Sequence, residues 1–387
     1  MTVSSGQTAP RLLDAASLLA EVADDLLVRT VRDTHLAWAD RIHGLLGTGG
    51  PRRRGIASGV YAGLGAGLRA ASWGLGALAA RDVGPPLDDT RHGRNLCSAV
   101  NGLIGDRLAR ERPRLAVPLA VRRDGRDVPL HREALSSAFP QATGRVAVLL
   151  HGLSESESAF DRRRDLLGTS YAETLTDLGW TPVLLRANSG LALRENGVAL
   201  ASLLDRLVAS WPVEVERLTL IGHSQGGLVI RAACGVVGGS GRPWTERLTD
   251  VVTLGTPHLG APLAAQVGAG ARVLGRFPES AALGRILDQR SVGVLDLVDG
   301  LGEEVPPLPG VRYRLVAATL TRSPHHPVGR LVGDLLVRQP SAYGRSRCRP
   351  ELFPGADEVH LPRTGHLDLL NHPDVHAALR RWLGEAA

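Results

Sequence analysis

The feature that most constrains this chain is a short apolar run, residues 217–221. It passes directly into Gly222-His223-Ser224-Gln225-Gly226-Gly227 and then into a helical pattern over 225–237. A strand that becomes a helix without a connecting loop leaves space only for small residues around the turn. Gly222 and Gly226 flank Ser224 accordingly, and Gly227 lets the helix lie close to the sheet. Ser224 is therefore expected at the top of a strand, above a helix N-terminus whose dipole favours negative charge on a reacting oxygen. With 46 glycines in the chain, Gly-x-Ser-x-Gly alone would mean little. The strand–turn–helix setting gives it weight.

The rest of the chain agrees with that setting. Apolar runs at 145–150, 181–186, 250–254, 312–318 and 358–361 read as strands, and 164–178, 198–211 and 374–383 as helices. Segments 115–122 and 126–130 flank Asp124-Gly125, a hairpin signal. Alternating strands and helices predict an α/β fold, a mostly parallel sheet covered on both faces, with functional loops at the carboxyl ends of the strands. Residues of about 261–300 carry an apolar face, including Leu263, Val267, Leu274 and Leu287, opposite scattered charges. This insertion reads as a helical lid over an apolar cleft or as a cap completing the core.

Two regions are expected. Residues 113–387 form the α/β domain, and 1–112 an N-terminal helical region of unassigned role, with Leu12, Ala16, Leu19, Ala23 and Leu26 at helical spacing. Within it, 55–80 is apolar, and Gly55, Gly59, Gly63 and Gly67 repeat every fourth residue. Arg69 near its middle would be costly in lipid, so a helix packed on the domain or on a second subunit is the first reading. Peripheral membrane contact is the alternative.

Hydrophobic residues make up 43% of the chain and aromatics only 4%, so the core must be aliphatic. The net charge of +6 rests entirely on arginine and is dispersed. Without an aromatic-interleaved motif it indicates a solvated surface and no nucleic-acid partner. Cys97, Cys234 and Cys348 are odd in number and far apart, which fits a reducing compartment. A cytoplasmic location is expected, with membrane association as the alternative.

A serine hydroxyl needs a base to become a nucleophile. Such folds place serine, acid and histidine in that chain order. His366 lies in a glycine-containing loop between the last strand and the terminal helix, where a base belongs. His360, His372 and His376 fall within strand or helix. Asp334 is the only carboxylate between residue 318 and Glu351, and would hold the base in the right tautomer. Asp368 and Asp357 are weaker rivals, the first too near His366 and the second too late in the order. An oxyanion hole needs two backbone donors. Gln225 follows the nucleophile, and Leu153 follows His151-Gly152 after the first buried strand. His151 and His223 read as structural.

These pieces together resemble the α/β-hydrolase superfamily, and within it the lipase/esterase branch that includes GPI inositol-deacylase-like proteins. The residues that carry the resemblance are His151-Gly152-Leu153, Asn188-Ser189-Gly190 with Glu195-Asn196-Gly197, Gly222–Gly227, and above all Leu254-Gly255-Thr256-Pro257-His258-Leu259-Gly260. Gly333-Asp334-Leu335 and Gly365-His366-Leu367 complete it. The resemblance covers about 145–383. It implies a serine hydrolase of esters or amides using Ser224, Asp334 and His366, and the lid-like insertion narrows the expected substrate to carboxylic esters with an apolar acyl group, small-molecule or lipid. It implies neither a metal nor an organic cofactor. Acyl transfer at the same site is one alternative. A non-enzymatic protein that binds a membrane or partner and uses the fold as a scaffold is another.

Overall fold

The computed structural model describes residues 11–14, 16–17, 66–67, 70–78, 81, 86–236, 243–261, 291–301, 305–323, 326–346, 348 and 350–384. Side-chain alternation fixes how each strand faces. In β3 (Arg145–Leu150), Val146, Val148 and Leu150 join one buried cluster, while Ala147 and Leu149 join another on the opposite face. The other strands are β1 (Ala120–Arg123), β2 (Arg126–Val128), β4 (Thr181–Arg186), β5 (Arg217–His223), β6 (Leu248–Leu254), β7 (Arg312–Thr319) and β8 (Asp357–Pro362). They form one sheet in the order β2-β1-β4-β3-β5-β6-β7-β8. Strands β3 to β8 run parallel, and β1 is antiparallel to both its neighbours. Asp124 and Gly125, at φ 51° and 75°, make the β1–β2 turn, matching the two positive φ values of a tight hairpin.

Helices cover both faces. We number them α1 (Arg91–Glu111), α2 (Arg132–Ala138), α3 (Tyr171–Asp177), α4 (Leu193–Ser210), α5 (Gln225–Gly235), α6 (Val292–Asp299), α7 (Pro327–Val332) and α8 (Pro373–Leu383). Leu200, Leu204 and Leu207 of α4 and Leu228 and Ile230 of α5 pack in one cluster. Tyr171 and Leu175 of α3 and Val375, Leu379 and Leu383 of α8 pack in the other. The helix expected over 164–178 is broken. Gly168 ends a first turn at φ 73°, and a capping box between Ser170 and Glu173 starts α3 anew.

The contacts divide the described residues into two units. Residues 11–14, 16–17, 66–67, 70–78, 81, 86–89 and 112–115 belong to the first. There the Ser17 hydroxyl donates to the Ser72 carbonyl at 2.7 Å, and Arg112 donates to both serine hydroxyls. Helix α1 belongs to the second unit, with the sheet. The two units are interleaved along the chain, since 112–115 returns to the first unit after α1. Within α1 the backbone kinks at Ile104 (φ −138°, ψ 24°). Around the kink, Leu103 O accepts the Ser291 N–H, Gly102 O the Ser291 hydroxyl, and Gly105 O the Asn188 side-chain amide. Most of the expected lid, 262–290, and Gly55, Gly59 and Gly63 of the glycine stripe lie outside the described residues. Among the described residues no helix is long and apolar enough to cross a membrane.

Asp250 of β6 is fully buried. Its two oxygens accept from Arg312 at 3.0 and 2.8 Å, and Arg314 and Arg217 lie at 3.4 and 3.8 Å. Asp250→Ala is expected to cost about 2 kcal/mol in urea unfolding. That is below the ~3–5 kcal/mol of a fully buried pair, because Arg312 is half-exposed and screened.

Candidate active site

Strand β5 ends at His223 and α5 begins at Gln225, so Ser224 alone makes the turn. It sits at φ 52° and ψ −123°, backbone that side-chain-bearing residues rarely adopt, at a cost on the order of 1–3 kcal/mol. Its N–H donates to Leu254 O at 2.8 Å. The surrounding glycines leave no room to relax. A Cβ on Gly222 would lie 2.5 Å from Gly227 N, and one on Gly226 would strike the Leu150 and His151 carbonyls. A Cβ on Gly227 would strike Thr256, in the Leu254–Gly260 motif.

His366 opens a short helical turn just after β8. Its Nδ1 donates to Asp334 Oδ2 at 2.8 Å, and its backbone N–H donates to Asp334 O at 3.0 Å. Asp334 follows α7 and is 1% exposed. Its Oδ1 accepts the N–H groups of Leu336 and Val337 at 3.0 and 2.8 Å. Both oxygens are thus occupied and the carboxylate cannot rotate. The Nε2 of His366 is buried and has no hydrogen-bond partner among the described residues. Asp334 and His366 are therefore brought together, and Ser224 is not yet bonded to the imidazole. Contacts of this kind commonly tighten only when substrate is bound. The rivals are engaged elsewhere. His360 meets Thr319, His372 caps α8, His376 meets Thr174, and Asp357 and Asp368 face arginines.

The loop after β3 reaches over the serine. A Cβ on Gly152 would lie 3.0 Å from Ser224 Cβ, tighter than ordinary contact, so the loop backbone passes close to the serine. The Gly152 N–H donates to Glu155 and the Ser154 N–H to the Ser189 hydroxyl. The intervening Leu153 N–H has no partner among the described residues. Gln225 is the first residue of α5, so its N–H lacks an intrahelical acceptor. Its side-chain amide donates to Ser189 O and Gly293 O, each at 3.0 Å. His151 Nε2 accepts from Ala187 N–H, which puts the ring proton on Nδ1, facing Gly152 O at 2.8 Å. Burial holds its pKa below the ordinary imidazole value.

One partner was not legible. His223 is fully buried, and its Nδ1 meets Glu155 Oε2 at 2.9 Å. The only sequence signal was a carboxylate in the loop after a His-Gly pair, facing a histidine beside the serine. Among the described residues no cluster of His, Cys, Asp or Glu could hold a metal ion.

Comparison with known proteins follows the same lines. Residues 144–295 match the family described as "Putative serine esterase (DUF676)". The mostly parallel eight-stranded sheet agrees with the α/β fold expected from the sequence. The matched segment includes Leu153, Ser224 and Gln225, while Asp334 and His366 lie beyond it. No curated protein matches the chain. Similar solved structures include the lipase BlEst2 of Bacillus licheniformis in mature form, at 20% identity and TM-score 0.43, covering 62% of this chain and 91% of that one. The carboxylesterase CesB of Bacillus subtilis is similar at 17% identity and TM-score 0.37, covering 64% and 85%.

Proposed function

We propose that the protein is a serine hydrolase that cleaves carboxylic esters with an apolar acyl group. The observation that carries this reading is His366, held through Nδ1 by a fully bonded Asp334, with Nε2 uncommitted among the described residues and its ring 5.0 Å from that of His223, the residue before Ser224. In the first step Nε2 takes the Ser224 proton as Oγ bonds to the ester carbonyl carbon. The Leu153 and Gln225 N–H groups receive the negative oxygen. The tetrahedral species then expels the alcohol, which leaves with the proton from His366. Water repeats the sequence on the acyl-enzyme and releases the acid. Asp334 stays ionised throughout and offsets the imidazolium charge. Leu335, Leu336 and Leu367, next in the chain to the acid and the base, are exposed, which supports an apolar acyl group. The Leu254–Gly260 motif supports the lipase/esterase branch near the GPI inositol-deacylase-like proteins.

Labelling with a fluorophosphonate probe tests the reading. Wild type should label at Ser224, and Ser224→Ala should not. Equal labelling of both, or none of wild type, would sink it. A chromogenic ester series of increasing acyl length should show kcat/KM rising with length. Added alcohols would reveal acyl transfer as ester products.

A further inference from the structure

We propose that His223 and Glu155 form a buried ion pair that positions the three loops of the site relative to one another. This rests on the hydrolase reading above for what those loops do. The ion pair itself stands on geometry.

Both nitrogens of the His223 ring face acceptors. Nδ1 lies 2.9 Å from Glu155 Oε2, and Nε2 lies 3.3 Å from the His366 carbonyl, which can only accept. A neutral imidazole has one N–H and could serve one of these partners. The proton could in principle sit on Glu155 instead. But Oε2 already accepts the Gly152 N–H at 2.8 Å, which favours the ionised carboxylate. The arrangement that satisfies every contact is imidazolium and carboxylate. The electrostatics agree. Burial pushes the Glu155 pKa up, yet the His223 charge and the hydrogen bonds from His223 and Gly152 outweigh it and hold the group at about 2. Burial pulls the His223 pKa down, but the Glu155 charge and hydrogen bond, the His366 carbonyl and the more distant Asp334 raise it above the ordinary imidazole value. The other ionisable groups nearby are the His366 ring, 5.0 Å away between centroids, and His151, which faces Glu155.

The pair touches each working part. Glu155 holds Gly152, one residue before the Leu153 donor. His223 is one residue before Ser224, and it holds the backbone of His366. If His223 loses its charge it must release either Glu155 or His366. Its folded-state pKa is raised, so the pair is intact below the ordinary imidazole value and is lost as pH rises through the raised value. At the acid end it persists until Glu155 protonates near 2. His223 and Glu155 are positioning residues, since neither is placed against the reacting atoms.

The test uses full-length protein with ¹⁵N-labelled histidine, His223 being assigned with His223→Gln. At pH 6.5, where an ordinary imidazole is about half protonated, both ring nitrogens of His223 in wild type should show the shifts of protonated nitrogen. A neutral ring there overturns the ion pair, and this readout needs no activity. In Glu155→Gln, which keeps the shape and an acceptor, kcat should fall about 10-fold or more with KM within about twofold. Unchanged kcat, or an effect confined to KM, overturns the positioning role. Fluorophosphonate labelling of wild type separates the two readings. Failure to label sinks the hydrolase proposal while the nitrogen shifts still decide the ion pair. If Glu155→Gln does not fold, the wild-type shifts decide the proposal alone.

Discussion

Asp334→Asn is expected to lower kcat about 10⁴-fold without disturbing the fold. The reasoning follows from the atoms. Asp334 Oδ1 accepts two backbone N–H groups and Oδ2 accepts the His366 Nδ1 proton. Asparagine has one oxygen and one amide. Two N–H donors hold the oxygen in the Oδ1 position, so the amide must face His366. The amide donates, so Nδ1 must accept, and the ring proton moves to Nε2. A base carrying a proton on the nitrogen nearest Ser224 cannot take another from it. Shape and packing are unchanged, so KM and melting temperature should stay near wild type. Steady-state kinetics on the best chromogenic ester decide the matter. A loss of less than tenfold would remove Asp334 from the proposed role.

The same residues show how far sequence carries. Strand β3 and strand β4 were legible to the residue, because a buried parallel strand is an unbroken apolar run bounded by polar residues. The turn at Ser224 and the contact between Asp334 and His366 were legible because a tight turn demands glycine and because such folds place the three groups in a fixed chain order. What escaped has a common cause. Near the kink at Ile104, three carbonyls of α1 accept from Ser291 and Asn188, residues far away in the chain. Nothing in the helical pattern of 91–111 announces a kink that proline did not make. The break at Gly168 was readable in principle, since glycine followed by Ser170 and Glu173 is a stop and a start. The Glu155–His223 contact joins residues 68 positions apart through a loop with no periodicity. Loops carry positioning groups that pattern analysis does not reach.

Ser224→Gly should move activity and stability in opposite directions. Loss of the nucleophile is expected to cost about 10⁶ in kcat. The same change removes a Cβ from backbone at φ 52° and ψ −123°, where strain is on the order of 1–3 kcal/mol. Glycine returns about 0.4–1 kcal/mol of that through greater freedom of the unfolded chain. The net gain is about 1 kcal/mol, a rise of roughly 2 °C in melting temperature for a domain of this size. Ser224→Ala is the control, since it removes the hydroxyl but keeps the Cβ and hence the strain. It should be as inactive as Ser224→Gly and no more stable than wild type. Equal melting temperatures for the two variants would mean that the turn is unstrained. A difference in the expected direction would show that the turn is imposed from outside the serine. Gly226 pressed on the Leu150 and His151 carbonyls, Gly227 on Thr256, and the Ser224 N–H tied to Leu254 would be what imposes it.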